Sequence, residues 1–150
     1  MESIRLAQGG RGYRASGSLL GVWSPAPTLL VLHVVGHGLG DFATPINAEF
    51  DRAAAGGARV HVFIDLERMP GYDSPLRIRC TEHFRERLEC FEGFHIFVPS
   101  RVVALGVAVA NVALRGIVTV HATRPPFTRA LDNQLAFHRV SGFSSDVLAS

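Results

Sequence analysis

The run Val60-His-Val-Phe-Ile-Asp65-Leu66 limits this chain most, because it is apolar at nearly every position. A strand with one wet face alternates apolar and polar side chains. A run greasy on both faces belongs in the middle of a sheet covered on both sides. Such strands sit in sheets built by crossover helices, so helices and strands should alternate along the chain around it.

The flanking sequence has that alternation. Ser18 to Trp23 and Thr28 to Val35 read as a pair of strands separated by Ser24-Pro25-Ala26-Pro27, a turn or edge-type connection. After the glycine-spaced GHGLG of residues 36–40, Thr44 as N-cap, Pro45 at the first helical position and Gly56-Gly57 as the stop delimit a helix. From Pro75 to Glu92, Leu76, Cys80, Phe84, Leu88 and Phe91 recur at spacings of four and three, which predicts the clearest amphipathic helix in the chain. Phe94 to Val98 is another buried strand, and Pro99-Ser100 opens a helix from about Arg101 to Arg115. Ile117 to His121 is a last strand, and Thr128 to His138 a last helix. The order predicts an α/β fold with a mixed, mostly parallel sheet of about five strands and helices packed against it. Residues 1–16 read as an N-terminal extension, 17–140 as a single domain and 141–150 as a flexible tail.

Composition narrows the function. With 150 residues, 47% apolar and 19% charged, the chain suits one ordinary globular domain with one core. The formal charge of +2 comes from interleaved acids and bases rather than a basic stripe, which argues against nucleic acid as the partner. Cys80 and Cys90 form neither a CxxC nor a disulfide framework, so a reducing, cytoplasmic setting is expected. The N-terminus has no signal-peptide character, and Val102 to Leu114 is too short, and too interrupted by Asn111, for a membrane span of about 20 residues.

Catalytic and metal motifs are weak. Gly36-His37-Gly38-Leu39-Gly40 has GxGxG where a dinucleotide loop needs GxGxxG, so a flexible strand-to-helix turn is the simpler reading. The chain has no lysine, which excludes a phosphate-binding GxxxxGK[ST] loop. Ser74 lacks the flanking glycines of a nucleophile elbow, and no acid and base pair at usable spacing; no enzyme activity is expected. His33, His61, His95 and His121 fall one to a strand with no HxH or HxxxH pair, so neither a metal nor another cofactor is expected. Cys80 falls on the apolar stripe and reads as core. The helix over Val102 to Leu114 is apolar nearly all round: it lies buried beneath the last helix and tail, or offers an apolar surface to a second copy or another protein.

The element order, together with Val62-Phe-Ile-Asp65 followed by Asp73-Ser74-Pro75-Leu76, resembles the STAS domain of sulphate transporters and anti-sigma factor antagonists. In that family a central strand ends in an acid or amide, and the next helix begins with Asp-Ser-Ser-Gly. The resemblance spans about Gly17 to Phe137, rests more on element order than on motif, and is nearest the divergent stand-alone branch that overlaps with lipid-binding SEC14-like domains. It implies a non-catalytic, cytoplasmic regulatory module that binds another protein, such as a kinase or an anti-sigma-like regulator. The implied contact surface is Met69 to Arg79, with Asp65, Met69, Tyr72, Asp73, Ser74, Pro75 and Arg77 as its site residues. Self-association through the apolar helix is a further expectation. In anti-sigma antagonists the second serine of the pattern is phosphorylated; here that position is Pro75, which cannot be. Ser74 then reads either as the N-cap of the helix or as a shifted phosphosite beside Asp73, Arg77 and Arg79. The alternative function is binding of a lipid or nucleotide, with Phe84, Leu88, Val103 and Val107 as an apolar wall.

Overall fold

A computed structural model describes residues 1–149; Ser150, the end of the expected tail, lies outside the described residues. Seven strands form one sheet in chain order: β1 (Glu2–Arg5), β2 (Arg11–Ala15), β3 (Ser18–Ala26), β4 (Leu29–Val35), β5 (Val60–Asp65), β6 (Phe91–Phe97) and β7 (Val118–His121). The pairs from β1 to β4 are antiparallel and those from β4 to β7 parallel. Among the described residues four α-helices complete the fold: α1 (Ala43–Ala53), α2 (Ser74–Arg85), α3 (Arg101–Ala113) and α4 (Arg124–Phe137).

Because every second residue of a strand points to the same face, β4 divides its side chains between two cores. Leu30, Leu32 and Val34 join Ile46 of α1, Leu76 and Phe84 of α2 and Val103 of α3 on one face. Leu29 and Val31 join Phe127, Leu131 and Leu135 of α4 on the other. The apolar run at 60–66 is thus covered on both sides, as its composition predicts.

Several boundaries differ from expectation. Residues 1–16 carry β1 and β2, whose Arg11 guanidinium is ion-paired with the buried Glu49 of α1. Their short, mostly polar strands lie at a sheet edge, where an apolar signal is weak. The tail is docked: Leu148 is buried in the second core, and Phe143 lies 6.3 Å from Trp23, ring centre to ring centre. Strand β3 runs through Pro25 to Ala26, because a register irregularity between Trp23 and Ala26 accommodates a proline that a regular ladder would reject. Helix α1 begins at Ala43, one residue before the expected Thr44 cap, out of a 3-10 turn at Gly40–Phe42. Helix α2 ends at Arg85, and Phe91 opens β6 instead of extending the helical stripe. There its ring stacks on Phe50 at 4.6 Å and on Phe94 at 5.0 Å. Helix α4 starts at Arg124, since two prolines fit a first turn whose N–H groups need no partner.

Candidate functional site

The loops leaving β4 and β5 meet at the start of α2. The Gly36 N–H donates to the Arg68 carbonyl (3.0 Å), the Gly38 N–H to the Gly71 carbonyl (2.9 Å), and the Asp73 N–H to the Gly38 carbonyl (2.7 Å). The approach is so close that a Cβ on Gly38 would come within 2.9 Å of Met69, Tyr72 and Leu76. Gly36 has φ +92, where a side chain would be strained. The glycines of GHGLG therefore serve loop-to-loop packing.

Asp73 holds this corner together. It stands at the cap position of α2, yet its carboxylate makes no bond to that helix. It lies 2.8 Å from His37 Nε2 and accepts the Gly40 N–H at 3.0 Å. The His37 hydrogen bond first, and the Gly40 N–H second, hold the Asp73 carboxyl below its ordinary range. Ser74, expected as the N-cap, is instead the first residue of α2, and its hydroxyl has no hydrogen-bond partner among the described residues. The carboxylate one residue earlier already occupies the cap position. Ser74 and Pro75 are exposed, as is Ile78 one turn along. Arg79 donates back to the Gly40 carbonyl (3.1 Å) and to Thr44 Oγ1 (2.8 Å), which ties α2 to the start of α1.

The remaining expected site residues lie elsewhere. Asp65 is buried at the end of β5, where Oδ2 accepts from Arg124 at 2.8 Å and Oδ1 from the Glu67 N–H at 2.9 Å. Met69 is buried beneath the corner. Tyr72 is half-buried against α3 at Gly106, where a Cβ would overlap the Tyr72 hydroxyl. Arg77 is half-buried and borders a cavity. The corner surface is thus Asp73, Ser74 and Pro75, joined by His37 and Ile78; no sequence spacing links His37 to Asp73, and Ile78 lies off the apolar stripe.

The cavity has a volume of about 120 Å³ and lies between the sheet and the α2–α3 pair. Its walls include Leu32, Ile64 and Ile96 from the sheet, Phe84 from α2, and Val103 and Val107 from α3. The expected apolar wall is present apart from Leu88, which does not line it. Cys80 borders the space, and burial pushes its thiol up to about 12, so it is protonated and inert at neutral pH.

The opposite face carries a diagonal row of imidazoles. In the parallel register His61 pairs with Gly93 and His95 with Thr119, so His61, His95 and His121 step across β5, β6 and β7 two residues at a time. The rings lie nearly parallel, with centroids 5.9 Å and 5.3 Å apart, and His95 Nδ1 is 3.0 Å from His121 Nε2. Burial first, then the neighbouring His121 and His61, hold His95 down to about 4; burial also lowers His33, His61 and His121. Among the described residues no group of three or more metal-ligating side chains is placed to hold an ion.

No helix is long and apolar enough to cross a membrane among the described residues. No protein-family model and no curated protein matches the chain. A solved structure is similar: an uncharacterised protein of the DUF3478 family with a SpoIIAA-like fold from Shewanella loihica PV-4, at 16% identity and a TM-score of 0.56, covering 80% of this chain and 95% of that one. With an α/β architecture, a parallel half built by α1, α2 and α3, and that likeness, the chain has the SpoIIAA-like fold of STAS domains.

Proposed function

We propose that this chain is a non-catalytic, cytoplasmic interaction module whose docking face is the first turn of α2. One observation carries the reading: Ser74, Pro75 and Ile78 stand exposed on a corner that Asp73 and Arg79 tie to the neighbouring loop and helix. An apolar side chain beside a proline, on a preorganised backbone, binds a protein partner at low entropic cost. A phosphate on Ser74 would meet the positive end of the α2 dipole but also the Asp73 carboxylate, so it would change the charge of the face without melting the helix. The test compares partners captured from the source cells by wild type, Ser74→Glu, Ile78→Arg and the distant Glu89→Gln. A partner retained by Glu89→Gln and lost by the two corner variants supports the reading; one retained by all four removes it.

A second reading is favoured by the cavity: a small apolar ligand held between the sheet and α2–α3. Internal space of this size, bordered by half-exposed Val107 and Ala110, is where such a ligand would enter.

A further inference from the structure

We propose that the outer side of α3 is a second docking face, and that its occupant is one amphipathic helix of another protein with acidic residues beside its apolar seam. Val102, Leu105, Val109 and Val112 are each more than half exposed. They recur at spacings of three, four and three, the a and d positions of two successive heptads. Side chains so spaced form one seam along a helix, and valine at a with leucine at d is the pattern that takes a single partner helix. Val102, Leu105 and Val109 keep that pattern. Scattered apolar side chains are normal on a surface, whereas four in one row make a patch on the order of 400 Å², a size that marks an interaction site. Ala108, exposed beside the seam, leaves room for a second helix to approach.

Charge selects the partner. No acidic residue lies between Glu92 and Asp132, a stretch that holds four arginines. Of these, Arg124 is ion-paired with Asp65 and Glu67, while Arg101 and Arg115, at the two ends of α3, are exposed and make no ion pair among the described residues. Arg101 stands in the first turn of α3, at the positive end of the helix dipole, where a cation is unfavourable and a partner's carboxylate offsets it. A second copy of α3 fits less well, because in either orientation its arginines would meet arginines. A lipid surface also fits less well: α3 has no aromatic anchor, and a strict a and d row is narrower than the apolar arc of an interfacial helix.

The experiment titrates two synthetic three-heptad peptides into the full chain and follows amide chemical shifts. Both peptides carry leucine at a and d; one has glutamate at e and g, the other lysine. The glutamate peptide should shift the amides of α3 and bind at least about tenfold more tightly than the lysine peptide. Leu105→Glu, at an exposed position outside the core, should abolish binding. Arg101→Glu combined with Arg115→Glu should turn the preference to the lysine peptide. Should a variant fail to fold, the ratio of the two peptides on wild type decides the matter. Equal binding of the two, or shifts confined to other elements, overturns the proposal. So does a wild type that binds neither peptide, whether it pairs with itself in sedimentation or binds vesicles of phosphatidylglycerol and phosphatidylcholine instead.

Discussion

Acidification should destabilise this protein well above the range in which carboxylates titrate. His95 has an ordinary value of 6.5 and is held down to about 4 in the fold. The unfolded chain therefore takes the proton first. Stability is complete above about pH 6.5, falls as the pH drops from there to about 4, and levels off below. Lowering the ring from 6.5 to about 4 corresponds to about 3.4 kcal/mol, and partial solvent access to the ring reduces this to about 1–2 kcal/mol. His33, His61 and His121 are lowered in the same direction and steepen the slope. Asp73, held below the ordinary carboxylate value of 3.8, adds its own loss at still lower pH. The assay is urea unfolding across this range. His95→Gln keeps a hydrogen-bonding group beside His121 but cannot titrate, so its stability should depend less steeply on pH between 6.5 and 4. A variant as steep as wild type, or a wild type stabilised by acid, would refute the reasoning.

Ser74→Ala should change stability by less than about 0.5 kcal/mol, because the hydroxyl does not cap α2. Asp73→Ala should lower the unfolding midpoint more, since it breaks the bonds to His37 and Gly40; the reverse order in thermal melts would restore the serine as the cap. Asn111→Ala should cost about 1–3 kcal/mol and promote aggregation. Its amide donates to the Val118 carbonyl at 3.1 Å and accepts the Val118 N–H at 2.9 Å, closing part of the open edge of β7. Light scattering and chemical melts of the variant would check both effects.

The parallel half of the fold was legible because its strands are buried on both faces, and burial leaves continuous apolar runs. The edge hairpin was not, because β1 and β2 mix charge with glycine and owe their place partly to the Arg11 pair with Glu49, a contact across 38 positions. Leu148 likewise has no local pattern around it; its signal is the hole it fills. At the candidate site the sequence located the corner and missed its chemistry. Asp73 and Ser74 were recognisable as a helix start, but which of the two stands at the cap depends on a loop 33 residues away. Arg77 reads as a solvated charge from its spacing, yet it is half-buried and borders the cavity.

Helix α3 settles an ambiguity that periodicity leaves open. It was expected beneath the last helix or as an apolar surface, and the structure shows why the first cannot hold: α4 packs on the opposite face of the sheet. Its inner side, with Val103 and Gly106 buried, borders the cavity; Val102, Leu105, Val109 and Val112 face outward, from 59% to 82% exposed. A helix with few buried side chains over open space owes less of its stability to packing than its neighbours do, and helices of this length are marginal on propensity alone. Its amides should therefore exchange with solvent faster than those of α4, which buries Phe127, Leu131 and Leu135. Filling the void by Ala110→Leu should slow exchange in α3 while leaving α4 unchanged. Equal protection of the two helices, or no slowing on filling, would mean that α3 is held by its outer surface, and the exposed stripe would then have to be covered by a second copy in solution.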